Sequence, residues 1–183
     1  MPKTWNQKEK IFEAALKLFA THGYGSTSVR DIAKKAKVSP PLLYNYYKTK
    51  EDLLLDIIQR GFADIQESMT AYRNPNLPPR QAIEIHVVKT VEIIKQHSEF
   101  WKLLHAIRLQ DKVIAVAKKP LGQVLEFITK SFTGIFKKMH YKHPHLEAML
   151  FLSQVDGLVI LWLQDNSVPI DKLAQQIIQR YTK

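Results

Sequence analysis

Cysteine is absent from all 183 residues. That excludes disulfides, thiolate nucleophiles, thiol redox sensing and every zinc finger or ribbon built on thiolates. Glycine is scarce, at six residues, and none of the six falls in a phosphate-cradling loop. The G-x-S-x-G elbow and the H-E-x-x-H helix are missing as well. The chain is therefore read as a non-enzyme without cofactor or metal. Long apolar runs are also lacking: the longest, Leu158 to Leu163, falls far short of the ~20 residues of a spanning helix. Met1 to Gln7 holds no apolar stretch of the kind a secretory signal requires. A soluble, cytoplasmic chain with no membrane segment is the expectation.

Acidic residues are the other shortage, 17 against 27 lysines and arginines, for a net charge of +10. The deficit is local. Residues 1–50 carry ten basic and three acidic groups, a net of +7, whereas residues 51–183 carry seventeen and fourteen. A basic first quarter suits a polyanionic partner or, more plainly, a solvated surface.

What is present is helical. Ile11, Ala14, Ala15, Leu18 and Phe19 line one face of a helix over about 6–21. Gly23 is placed to cap it in the left-handed conformation. Ser28-Val29-Arg30-Asp31 has the capping-box pattern that opens a short helix ending near 36. Ser39 caps a third helix over 39–47, whose first turn tolerates Pro40 and Pro41 because its N–H groups would lack partners anyway. Thr49-Lys50-Glu51-Asp52 opens a fourth, to about 72. Asn74 to Pro79 is a breaker-rich boundary. Further helices are read at about 80–96, 98–109, 118–139, 144–165 and 169–182, with Pro120 in the first turn of the third of these. The expected fold is all-α, about nine helices. It divides into a head over 1–50 and a helical bundle over 51–183, linked by the fourth helix.

Two short helices joined by a four-residue turn have helix-turn-helix geometry. Ala33, Val38 and Leu43 sit where they must meet. On the outward face of the second, Asn45 suits a bidentate contact with adenine, and Leu42 or the prolines suit a thymine methyl. Tyr44, Tyr46, Lys48 and Lys50 suit phosphates. A helical hairpin with a tyrosine-rich, half-buried face fits the same pattern.

Residues 11–54 resemble the DNA-binding domain of TetR-family transcriptional repressors. Ile11 to Ala20 is similar to that family's first helix, Gly23 to Ala33 to its glycine turn and second helix, and Leu43 to Leu53 to its recognition helix and the start of helix four. The resemblance implies that Arg30 contacts DNA and that Pro40, Pro41, Leu42 and Asn45 face bases. It implies that Tyr44, Tyr46 and Lys50 reach phosphates, with Ser28 and Ser39 at the caps of the same surface, and that Tyr47 is core. Lys3, Lys8 and Lys10 are candidates for a flanking arm. Two residues depart from the pattern. Lys37 stands where glycine is common, and Pro40-Pro41 where Lys/Arg-Gly is common.

By the same resemblance the helices at 144–165 and 169–182 pair with a second copy into a homodimer, and the partner is double-stranded DNA carrying a pseudo-palindrome. Met149, Leu150, Leu152, Val155, Val159, Ile160, Trp162 and Leu163 spread over more than one face, and Gly157 in mid-helix suggests a close backbone approach. A small hydrophobic or amphipathic effector is implied among helices four to eight. Its candidate liners are Phe62, Ile65, Met69, Trp101, Leu104, His105, Phe127, Met149 and Gln154, with His86, His97, Arg108 and Asp156 as inward polar groups. His140-Tyr141-Lys142-His143-Pro144-His145 is read as an exposed loop without metal. Three readings stay open: a ligand-released homodimeric repressor, a regulator of this fold that lacks an effector or activates, and a basic helical protein that docks membranes or partner helices. Three phosphate-neutralising cations per subunit, Arg30, Lys50 and one N-terminal lysine, set an expected salt slope near −5.

Overall fold

The computed structural model describes residues 6–68, 74, 76–108 and 111–182, with side chains described except at 64–68, 108, 111–117 and 120. All regular structure among them is helical: α1 Gln7–His22, α2 Val29–Ala36, α3 Pro40–Tyr46, α4 Lys50–Ser68, α5 Pro79–Gln96, α6 Ser98–Arg108, α7 Asp111–Lys138, α8 Pro144–Gln164 and α9 Ile170–Thr182. Contacts divide the chain into two compact units. One holds residues 1–61 with 99–119, and the other 62–98 with 120–183.

In the first unit α1, α2 and α3 pack on one another. Ile11, Ala15, Phe19, Ile32, Ala33 and Leu43 are buried, as are Leu53, Leu54, Ile57 and Ile58 of α4. Each fully buried Leu, Ile or Phe side chain among them contributes about 1.5–3 kcal/mol. Local chemistry fixes the helix starts. Asn6 accepts from the Glu9 N–H, Ser28 and Asp31 form a reciprocal capping box, and Thr49 and Asp52 form another. The end of α2 is a Schellman turn. The Val38 N–H reaches the Ala33 carbonyl at 3.0 Å and the Lys37 N–H the Lys34 carbonyl at 3.2 Å. Lys37 sits at φ 57°, ψ 44°, a left-handed position that costs a side-chain-bearing residue about 1 kcal/mol. Gly23 also has positive φ, 84°, but ψ 149° places it outside the left-handed helical basin expected from sequence. Its N–H still closes α1 onto the Phe19 carbonyl.

The crossing of α4 and α6 turns on Gly61. A Cβ there would lie 2.2 Å from two ring carbons of the buried Phe100. Gly61→Ala should therefore destabilise by about 1–2 kcal/mol, since an overpacking cost of about 1–3 kcal/mol outweighs the helix gain. Gly134→Ala in α7, where the added methyl meets nothing within 4 Å, should stabilise by up to about 1 kcal/mol. Paired thermal melts measure the opposite signs. Equal shifts would mean that Phe100 moves aside at no cost.

In the second unit Ile83, Val87, Phe132, Phe136, Phe151, Val155, Ile178 and Tyr181 form one core among α5, α7, α8 and α9. Lys95 on α5 also pairs with Asp171 on α9 at 2.7 Å. α7 departs from the sequence expectation. It begins at Asp111 rather than at 118, so Pro120 lies inside it. Val113 to Lys119 contains no breaker, and the helix on either side tolerates the one backbone bond a proline removes. α8 also qualifies the expectation about membranes. It has 21 residues and a mean hydropathy of 1.6 over its most apolar stretch, of which 28% is buried. By length and composition that helix could cross a bilayer. A core helix passes the same test, and α8 buries Ala148, Phe151, Val155, Leu158, Val159 and Leu163.

Candidate nucleic-acid interface

α3 is held so that one side is spent on packing and the other is free. Leu43 is buried while Tyr44 and Tyr46 are 45% and 42% exposed, and Pro40, Pro41 and Asn45 are exposed with them. Leu42 is half-buried. Ser39 accepts from the Leu42 N–H at 3.3 Å and caps the helix as expected. On α2, Arg30 is exposed and has no hydrogen-bond or ion-pair partner among the described residues. The same holds for Lys48, just past α3. Ser28 is more committed: its hydroxyl accepts from the Asp31 N–H at 3.2 Å and donates to the Asp31 carboxylate. The bond from the hydroxyl first, and that from the Ser28 N–H at 3.0 Å second, hold the Asp31 carboxyl below the usual carboxylate range.

Lys50 is placed differently from the role the resemblance implies. Its ammonium donates to the carbonyls of Tyr24 and Thr27 at 2.9 and 3.0 Å and lies 4.2 Å over the Tyr24 ring. Two of its three N–H groups are thus used in pinning the α1–α2 loop to the start of α4. Beside it the Tyr24 hydroxyl donates to Glu51 at 2.9 Å. Burial first, and that bond second, push the phenol's pKa up.

A second tie lies behind α3 and escaped the sequence reading. The Tyr47 hydroxyl donates to Asp56 Oδ2 at 2.6 Å. Arg60 grips the same carboxylate at 3.0 and 3.1 Å and reaches Glu9 on α1 at 2.7 and 3.1 Å. It also lies 4.4 Å from the centre of the Phe12 ring. Burial alone would raise the Asp56 pKa, and the bonds from Tyr47 and Arg60 overcome it and hold the carboxyl low. Only Asp56 and Arg60, four apart on one helix face, were legible as a pair. Glu9 lies 51 residues from Arg60, and only the fold brings them together.

A capped helix-turn-helix with an exposed outward face and exposed cations on α2 and after α3 is an arrangement that fits DNA. Residues 11–57 match the family model for bacterial regulatory proteins of the tetR family. Those residues are a TetR-family head. It is 31% identical over 162 residues to the uncharacterized HTH-type transcriptional regulator YuxN of Bacillus subtilis, covering 86% of this chain and 54% of that one. The chain thus spans about half the length of that relative. Its fold is that of a TetR-like transcriptional regulator from Rhodococcus sp. RHA1, with a TM-score of 0.82 at 20% identity over 94% of this chain and 91% of that one. It is also that of FadR from Bacillus subtilis in complex with stearoyl-CoA, with a TM-score of 0.77 at 17% identity over 95% and 97%.

The effector residues that the TetR resemblance suggests are scattered in kind. Phe62 and Leu104 are buried. Trp101 and His105 are half-buried, their rings 6.3 Å apart, and the Trp101 indole N–H is buried with no acceptor among the described residues. Gln154 is occupied, donating to the Tyr181 hydroxyl at 3.2 Å. Phe127 and Met149 are exposed, at 37% and 50%, because they lie on outward faces of α7 and α8. Met69 and the side chains of Ile65 and Arg108 lie outside the described residues. His86 is a core residue: its ring packs 4.7 Å from Phe132 and 5.7 Å from Phe151. His97 is exposed at the C-cap of α5, and Asp156 is half-buried. No metal-binding cluster of histidine and carboxylate groups occurs among the described residues.

Proposed function

We propose that this TetR-family protein is a homodimeric, sequence-specific DNA-binding repressor that a small hydrophobic or amphipathic effector releases. The observation that carries the DNA reading is the free face of α3, with Tyr44, Asn45 and Tyr46 exposed, together with the exposed Arg30 and Lys48, neither of which has a partner among the described residues. Two copies of α3 would enter successive major grooves of a pseudo-palindrome. Asn45 would address adenine, the tyrosine hydroxyls and Arg30 the phosphates. The role of Lys50 is to position the loop before α2 and so aim Ser28 and Arg30.

The homodimer is supported by α8. Leu146, Met149, Leu150 and Leu161 are 50–58% exposed, and Leu173 of α9 is 37% exposed. Gly157 lies seven residues after Leu150 and four before Leu161, on their strip of α8, and among the described residues no side chain and no other element lies within 4 Å of where its Cβ would be. A mid-helix glycine there costs about 1 kcal/mol with no internal reason, and a close-packed partner helix would supply one. The effector is supported by the FadR neighbour, solved with stearoyl-CoA. An effector preferring the non-binding head spacing would release DNA. The chain's α4 would carry the change.

The test is selection of bound duplexes from a random library, with an Arg30→Ala/Tyr44→Ala variant in parallel. The expected result is an inverted repeat enriched by the wild type alone. With Lys50 occupied and Lys8 paired with Asp56 at 3.8 Å, Arg30 and Lys48 alone supply about four cations per dimer, and log affinity should fall against log salt with a slope near −4, shallower than the −5 expected from sequence. Equal enrichment by both proteins, or a slope near zero, would overturn the reading.

A further inference from the structure

We propose that the first unit carries an anion site apart from the face of α3. It is a groove between α1 and the end of α2 that binds an oligophosphate, a short chain of condensed phosphoryl groups, through Lys10, Lys17, Lys35 and Lys37. The proposal does not depend on the DNA-binding reading above.

The basic excess of the first fifty residues is larger than the reading face uses. Of its ten basic groups, Arg30 and Lys48 go to the proposed DNA surface, and Lys8 and Lys50 are held by Asp56 and by backbone carbonyls. Four others converge on one groove of about 700 Å³. Lys10 and Lys17 come from α1, Lys35 from α2 and Lys37 from the turn that follows it. Lys10 and Lys17 lie seven residues apart, two turns along one face of the helix. All four are exposed, and none has a hydrogen-bond or ion-pair partner among the described residues. Glu13 and Glu99 also line the groove, so cations outnumber carboxylates two to one. Lys37 brings its charge there from φ 57°, a conformation that glycine adopts freely and lysine does not. A cleft with an excess of one sign concentrates counter-ions, and a multivalent anion relieves the mutual repulsion of its walls.

The lining also decides the class of anion. A lysine ammonium offers three donors and no acceptor, and it meets phosphate as a point charge. Besides the six charged residues the groove is lined by Ala14 and Ala36, which are buried and add no polar side-chain group. Among the described residues no aromatic ring lines it, so a nucleobase finds nothing to stack on. No arginine lines it either, so the planar fork that grips a carboxylate at two points is missing. A ligand built of acceptors alone, with several charges close together, matches four flexible ammonium groups. A phosphate chain has that composition, whether it is free or carries a group that stays in solvent. Bridging the four lysines would tie α1 to the turn that leads into α3.

The test titrates the full chain with inorganic tripolyphosphate in a calorimeter at fixed ionic strength. Two variants run beside it, each short of two charges. Lys17→Gln/Lys35→Gln lies in the groove, and Lys34→Gln/Lys142→Gln changes exposed lysines outside it. Equal helix content by circular dichroism shows that all three are folded. The wild type should bind at one saturable site per chain. The groove variant should bind at least about tenfold more weakly, the worth of one charge-assisted hydrogen bond, and the other variant as the wild type does. ATP, which carries the same three phosphates on a nucleoside, should bind no more tightly than tripolyphosphate. No saturable binding, or an equal loss in both variants, would overturn the site. Much tighter binding of ATP would overturn the class, because the base would then be recognised. A third arm measures the salt slope for an unrelated duplex, which should be the same in the groove variant as in the wild type. A shallower slope there would make these lysines contacts to duplex DNA and overturn the assignment to a small anion. Failure to enrich an operator, which would sink the DNA-binding reading, leaves the tripolyphosphate result as it stands.

Discussion

Leu150→Glu should convert a dimer into a monomer and remove tight operator binding, while helix content and the melting temperature of the single chain stay close to wild type. Leu150 is 58% exposed, so within one chain the substitution touches solvent and costs little. Across a twofold axis the same patch meets itself, and each substitution enters the interface twice. Two unpaired carboxylates then replace two leucines. The lost burial, about 1.5–3 kcal/mol per side chain, and the cost of stripping water from each charge together exceed the about 2.8 kcal/mol that a hundredfold loss of association requires. DNA affinity should fall further still, because two linked heads gain about 10²–10⁴ over one. Sedimentation equilibrium and operator titration check both effects. A variant that remains dimeric would place the interface elsewhere than on α8.

Acid should weaken the fold through His86 well before carboxylates titrate. Burial lowers its imidazole from 6.5 to about 4, because a cation among Phe132 and Phe151 would be stripped of water. The unfolded chain binds the proton more tightly than the folded one. The neutral histidine's contribution is therefore complete above pH 6.5 and is lost as pH falls from 6.5 towards 4. The loss reaches about 3 kcal/mol at its lower end. Asp31 and Asp56, whose pKa values are lowered, add to it only below the ordinary carboxylate range. In urea titrations across this window, the midpoint of the wild type should fall with pH and that of His86→Leu should stay nearly flat. Parallel curves would assign the acid sensitivity to another group.

What was legible in the sequence was local. Ser28, Ser39 and Thr49 each act on a backbone N–H three residues away, so their caps depend on neighbours in the chain and are read directly from it. The apolar period of α1 and the outward set of α3 are local in the same sense. What was not legible is set by partners far away. Lys50, which the resemblance places at a phosphate, also donates to the carbonyls of Tyr24 and Thr27, 26 and 23 residues earlier. Arg60 and Glu9 drew no attention for the same reason. Pro120 misled in the opposite direction: a residue that usually opens a helix was absorbed inside one. The candidate pocket was the least legible part, because an apolar residue at helical spacing has the same pattern whether it lines a cavity, fills a core like Phe62 or faces outward like Phe127 and Met149.

The two polar ties of the head have a consequence for how such a protein could evolve. Tyr47, just past α3, is bolted through Asp56 and Arg60 to α1, and Lys50 bolts the loop ahead of α2 to the start of α4. The typeface is therefore cast in one piece. A signal arriving along α4 could move where the letters strike but could not reshape them. On the proposed function, which bases are read and how far apart the two impressions fall would be separately adjustable. The first would be altered at Pro40, Pro41 and Asn45, which carry none of the bolts, and the second by anything that changes the length or tilt of the arm.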